Sequence, residues 1–216
     1  MTKHYDQYCP MAHALSLVGE RWSLLIVREL LRGPKRYTDL SGGLPGIGTN
    51  ILASRLKDLE EGGIVEKRKL PPPAASTVYE LTEHGEALRP AVYELIRWGG
   101  RFLHPRRKGD RIEPEWMRLA LDALARRGAS PRRRFLLRVR EGRTEALVHV
   151  AGGRRGTIVS AGPGPADTTL VLDVPTLLAV ASGRLPLPGA VESGAVEATG
   201  DLDALPDFAQ LFESAG

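Results

Sequence analysis

Cysteine occurs once in 216 residues, at Cys9. A single thiol excludes an intramolecular disulfide framework and suits a reducing compartment. Five scattered histidines and that one cysteine give no metal-ligand spacing, so no metal and no cofactor are expected. Aromatic residues make up only 6%, yet hydrophobic residues reach 42%, enough for a packed core. No apolar run approaches the ~20 residues that span a bilayer, so no membrane partner is expected. The opening "MTKHYDQYCP" lacks the apolar stretch of a secretory signal. Together these absences point to a cytoplasmic protein. No catalytic set stands out either. "GGRRG" and "GPGP" are glycine turns without the lysine–serine ending of a phosphate loop, and Ser160, His149 and Asp173 lack the sequence context of a triad. A non-enzyme is expected.

What is present is unevenly placed. The net charge of +4 comes wholly from residues 1–110, with 17 Lys and Arg against 13 Asp and Glu; the remainder balances at 13 each. The half that attracts a polyanion is therefore the first. Its pattern reads as helices. "CPMAHALSLV" starts a helix at Pro10 with Ala14, Leu15 and Val18 on one face. Trp22, Leu25, Ile26 and Leu30 mark a second helix, stopped by Gly33-Pro34. A short third helix begins near Thr38, and a fourth runs from Thr49 to Glu61 with Ile51, Leu52, Leu56 and Leu59 inward. Gly62-Gly63 ends it. "IVEKRKL" and "TVYEL" read as strands joined by the stiff "PPPAAS". "TEHGEALRPAVYELIRWGGRFL" reads as one more helix, with Pro90 as a candidate kink.

Three helices, two strands and a protruding connection make a winged helix-turn-helix layout. An α-helix fits the major groove of B-DNA, where its first residues meet base edges. Gly46 and Gly48 let the backbone approach phosphate. Thr49, Asn50 and Ser54 are short hydrogen-bonding residues suited to bases, and Arg55 and Lys57 reach bases or phosphates. Arg68 and Lys69 place charge on the wing, while Lys35, Arg36 and Thr38 sit at the start of the preceding helix, within reach of the backbone. A solvated charged face, or a module that binds protein, is the blander alternative for the same pattern.

Residues 9–103 resemble the HxlR family of bacterial transcription regulators, relatives of the MarR-type proteins. The matching text is "CPMAHALSLVGERWSLLIVRELLRGPKRYTDL", "LPGIGTNILASRLKDLEEGGIVEK", "VYELTEHGEAL" and "IRWG". The resemblance implies a homodimer on an operator with inverted repeats, with Thr49–Glu61 as recognition helix and Val65–Val78 as wing. A two-fold protein must hold its recognition helices about one DNA turn apart. Leu88, Val92, Leu95, Trp98 and Phe102, with Tyr5 and Tyr8, are the candidate dimer residues; an ordinary core stripe is the alternative. Cys9 sits at a helix N-terminus, which favours a thiolate. Some family members sense oxidants or electrophiles there, so Cys9 is a candidate redox residue, against a simple small apolar role.

"HPRRKGDRIEPE" marks a linker, giving a domain at 1–104, a linker at 105–114 and a second domain at 115–216. The second domain reads as α+β: a helix, several antiparallel strands, then helices. "ADTTLVLDVPTLLAVASGRLPLPGAVESGAVEATGD" resembles the end of a sterol-carrier-protein-like domain. That resemblance implies an apolar small molecule between sheet and helices, or a filled and merely structural layer. Leu170, Leu172, Leu177, Leu178 and Val180 supply the layer. Arg132, Arg133, Arg134, Arg138 and Arg140 form a separate cluster, open to intramolecular acids, DNA or an anionic ligand. The resulting expectation is a homodimeric DNA-binding regulator answering to an apolar ligand. The alternative is an apolar-ligand carrier, or a redox sensor through Cys9, whose winged-helix half mediates protein contacts.

Overall fold

A computed structural model describes residues 4–73, 75–103 and 107–213. The linker residues 105 and 106 and the C-terminal residues 214–216 lie outside the described residues. The chain divides into two compact units, Met1–Val92 and Tyr93–Gly216.

The first unit holds α1 (Pro10–Val18), α2 (Ser23–Leu30), α3 (Tyr37–Gly43), α4 (Thr49–Glu61), β1 (Val65–Lys69), β2 (Thr77–Leu81) and α5 (Glu83–Glu86). Ile26, Val27, Leu30, Leu40, Leu52, Leu56 and Leu59 form its buried centre. Four residues expected inward are not: Ala14, Leu15, Leu25 and Ile51 are exposed, because each lies off the face its helix buries. The end of α4 is tightly specified. The Gly63 N–H donates to the Glu60 carbonyl at 3.0 Å and the Ile64 N–H to the Leu59 carbonyl at 2.9 Å. This motif needs a left-handed residue, and Gly63 supplies it at φ +68°. β1 and β2 pair antiparallel from Val65↔Leu81 to Lys69↔Thr77. Lys35 bridges Tyr79 and so adds a third backbone segment beside β2.

The single helix expected after the wing is two. α5 ends at Glu86, and α6 (Arg89–Gly100) restarts with Pro90 in its first turn, where a missing N–H costs nothing. Pro90 thus opens a helix instead of kinking one. The unit boundary at Val92/Tyr93 falls inside α6.

In the second unit a 3₁₀ turn (Pro114–Trp116) leads into α7 (Met117–Leu124). β3 (Arg134–Glu141), β4 (Thr144–Ala151), β5 (Ile158–Ala161), β6 (Thr168–Asp173) and β7 (Glu197–Gly200) form one sheet in the order β5-β4-β3-β6-β7. It is not wholly antiparallel as expected: β3 and β6 run parallel, Phe135↔Thr168 to Arg140↔Asp173. The β3-β4-β5 meander leaves one edge of β3 open, and the returning chain fills it in the same direction. α8 (Val174–Ala181) follows, its first turn capped by the Asp173 carboxylate, which accepts from the Thr176 N–H at 2.8 Å. α9 (Leu187–Glu192) is a helix the sequence pattern did not reveal. The C-terminal stretch read as a helix is two 3₁₀ turns, Leu202–Asp207 and Ala209–Leu211. Phe208 packs edge-on to Phe135 and Phe212, with ring centroids 5.0 and 5.3 Å apart. These rings and Leu137, Leu170 and Leu177 are fully buried and fill the core against the sheet.

Candidate nucleic-acid interface

α4 divides cleanly into two faces. Leu52, Leu56 and Leu59 are buried, while Thr49, Asn50, Ala53, Ser54 and Lys57 are exposed. Asn50 and Ser54 lie one turn apart, so they share one outward strip. Gly48 precedes the helix in extended conformation, leaving the first amides of α4 open at the same end. α3 and α4 are tied together by Tyr37, whose hydroxyl donates to the Thr49 carbonyl at 2.9 Å. Nothing in the sequence period marked Tyr37 for that task.

The basic residues behave differently from one another. Lys57 is well exposed and only 3.7 Å from Glu61, a loose pair. Arg55 turns inward: it pairs with Asp58 and, at 3.2 Å, with Glu20, and its Nε is buried without a hydrogen-bond partner. Arg55 therefore locks α4 to the α1–α2 turn. The Asp58 contact has the i,i+3 spacing that sequence can show, whereas Glu20 is brought in only by folding. Arg55→Ala is expected to lower the stability of the first unit by about 1–2 kcal/mol, read as a lower midpoint in thermal unfolding. An unchanged midpoint would return Arg55 to the list of free surface cations.

On the wing, Arg68 forks onto Glu80, with Nη2 2.8 Å from Oε2. That bond raises the Arg68 pKa and holds the Glu80 carboxyl below its usual range. Lys67 lies 2.7 Å from Glu60 and over the Tyr79 ring at 5.3 Å, and its hydrogen bond to Glu60 raises its pKa. Lys69 is exposed and makes no ion pair among the described residues. Arg36 is exposed; its Nε donates to the Ser76 hydroxyl at 3.1 Å, and its N–H donates to Asp39 at 3.0 Å, starting α3. Thr38, two positions on, is exposed. Thr49, Asn50, Ser54, Lys57 and Lys69 are thus available, while Arg36, Arg55 and Arg68 already have partners.

The expected dimer residues separate likewise. Val92 is 5% exposed, so it is core and not interface, contrary to expectation: a valine on the inner side of α6 is covered by its own chain. Leu88 is half-buried. Tyr5 and Tyr8 are exposed in the first unit. In the second, Leu95, Trp98 (60%) and Phe102 (63%) are exposed, and the last two rings stack edge-on at 5.1 Å. Cys9 is exposed and caps α1 through its backbone position alone.

In the second unit, a cavity of about 280 Å³ opens among α6, α7 and α8. Ile96, Leu103, Met117, Ala120, Leu124 and Leu178 give it apolar walls, with Arg97, Arg101 and Arg184 also on its lining. The Nε of Arg97 is buried and has no hydrogen-bond partner. Leu178, expected beneath the sheet, is half-buried on this cavity instead, one position on from fully buried Leu177.

No helix among the described residues is long and apolar enough to cross a membrane. Residues 17–107 match the family described as HxlR-like helix-turn-helix, and residues 114–213 match the SCP-2 sterol transfer family. The HTH-type transcriptional regulator YodB of Bacillus subtilis is 42% identical over 98 residues, which is 45% of this chain and 88% of YodB. The uncharacterized HTH-type transcriptional regulator YvaP of the same organism is 33% identical over 101 residues, 46% of this chain and 94% of YvaP. The solved structure of reduced YodB, 39% identical, covers 47% of this chain and all of its own, with a TM-score of 0.40.

Proposed function

We propose that this chain, which belongs to the HxlR-like helix-turn-helix family of transcriptional regulators and ends in an SCP-2-type domain, binds a palindromic operator in the cytoplasm as a homodimer. The observation that carries this reading is the uncovered outer strip of α4. Thr49, Asn50 and Ser54 are exposed to solvent at the start of the helix suited to a major groove. The wing carries Lys69 for adjacent phosphates. The role is recognition and not catalysis. Footprinting on DNA flanking its own gene is expected to protect two inverted half-sites about 10 base pairs apart, centre to centre. A single protected half-site, or none, would overturn the operator reading.

Homodimerisation rests on the exposed apolar side chains. Leu95 and Trp98 on α6, and Phe102 just beyond its end, are exposed large apolar side chains. Trp98→Glu is expected to shift the protein toward monomer in sedimentation and to weaken operator binding. A Trp98→Glu dimer of parental affinity would place the interface elsewhere.

The cavity among α6, α7 and α8 is the proposed effector site. Its lining suits an apolar molecule, and three of its residues, Ile96, Arg97 and Gly100, stand on the helix that bears Trp98. A ligand there controls DNA binding only by favouring one dimer geometry over another. Ala120→Trp fills the cavity. Native mass spectrometry should then show loss of any co-purifying ligand, and DNA affinity should no longer respond to ligand removal.

A further inference from the structure

The arginine cluster before and along β3 divides in two. Arg133 donates to Asp207 at 2.7 Å and Asp201 at 3.1 Å. Arg134 forks onto Asp167, and Arg138 and Arg140 share Glu145. Arg132 has no ion pair among the described residues and is exposed. So are Arg154 and Arg155, in the "GGRRG" turn that the DNA-reading half of the molecule leaves unexplained.

The backbone brings these three together. The segment 126–133 and the turn 152–157 are bonded along their length. Gly152 N–H donates to the Arg133 carbonyl at 2.9 Å, Ser130 N–H to Gly153 at 3.0 Å, and Thr157 N–H to Arg126 at 2.9 Å. The Gly153 N–H donates in turn to the Ser130 hydroxyl at 3.1 Å. The approach is so close that a Cβ on Gly152 would lie 2.0 Å from the Pro131 carbonyl oxygen. Only glycine permits it. Arg132, Arg154 and Arg155 then line one open depression of about 550 Å³. Its one carboxylate, Asp167, is already occupied by Arg134.

The chemistry of this surface is narrow. No aromatic ring lines it for stacking on a base, and its large apolar residue, Ile158, is 67% exposed. What remains is a set of guanidinium forks on a fixed support, the geometry that suits phosphate oxygens. We propose that Arg132, Arg154 and Arg155 form a second DNA contact, in the C-terminal unit, that grips the phosphodiester backbone and reads no bases. The inference rests on the reading that the chain binds DNA. Backbone contacts add affinity without sequence choice. The C-terminal unit is then a clamp on DNA as well as a ligand-binding module.

The test uses the full chain with Arg132, Arg154 and Arg155 all changed to Ala. A control changes Arg138, Arg140 and Arg143 to Ala, removing the same charge from the far end of the β3–β4 hairpin. Affinity is measured against salt concentration on operator and on random duplex of equal length. Each lost phosphate contact lowers the slope of log affinity on log salt by about 0.9. The first variant is therefore expected to lose about 2–3 from the slope on both duplexes, with the operator-to-random ratio unchanged. The control should lose clearly less, and the triple Arg→Lys variant should keep the parental slope. A parental slope in the triple Ala variant, or an equal fall in the control, overturns the proposal. Tripolyphosphate titrated without DNA checks for a free phosphorylated ligand. Saturable binding that the triple Ala variant loses, with the DNA slope unchanged, would assign the surface to such a ligand and overturn the DNA contact. If the parent fails to prefer operator over random duplex while the slope still falls, the operator reading fails and this one stands.

Discussion

Glu29→Ala is expected to lower the stability of the first unit by about 3 kcal/mol, a fall of roughly 15 °C in the midpoint of a unit this size. Glu29 is a carboxylate only 2% exposed in α2. It accepts from Arg28 Nη2 and from Arg32 Nη1, each at 2.7 Å. Burial pushes the Arg28 pKa down despite that carboxylate, so the guanidinium has given up much of its hydration. Removing Glu29 takes away the counter-charge both arginines share, and a buried pair broken from one side costs more than it was worth intact. Glu29→Gln, which keeps the shape and one acceptor, should fall between. Calorimetry on the full chain reads the result. A midpoint within a few degrees of the parent would show that the network carries little weight.

Asn50→Ala is expected to reduce operator affinity by about 1–3 kcal/mol, roughly five- to 150-fold, while binding to random duplex barely changes. Asn50 is exposed on the first turn of α4, and its amide can both donate and accept at a base edge. Its removal subtracts recognition without touching the core, because the buried side of the helix is Leu52, Leu56 and Leu59. Lys69→Ala should act oppositely, weakening both duplexes alike and lowering the salt slope by about 0.9. Competition between labelled operator and unlabelled random DNA separates the two cases. Equal losses on both duplexes for Asn50→Ala would take it out of base reading.

Sequence made the order of elements legible wherever local chemistry was decisive. The 3.6-residue period of Leu52, Leu56 and Leu59, the paired glycines after Glu61, and the alternation of β3 and β4 each name their structure before any contact is known. In the candidate site the outward placement of Thr49, Asn50, Ser54, Lys57 and Lys69 was legible, and the pairing of its arginines was not. Thr49, Asn50 and Ser54 are outward because the helix period puts them there. Arg55 and Arg68 could not be judged from the period, since their partners Glu20 and Glu80 come from other elements. The parallel pairing of β6 with β3 and the course of the 152–157 turn were hidden for the same reason: both are set by long-range hydrogen bonds that leave no local signature. The pattern predicts one helix where α5 and α6 stand, because a proline at position 90 fits both a kink and the first turn of a new helix.

The boundary inside α6 has a consequence for dividing this gene. Tyr93 is 3% exposed, and its hydroxyl bonds the Asp122 carboxylate, so a fragment ended at the charged stretch near residue 105 would strip that ring of its cover. A fragment ended at Val92 would instead cut through a continuous helix. Division at either point therefore costs the protein an intact element: the ring's cover in one case, a helix in the other.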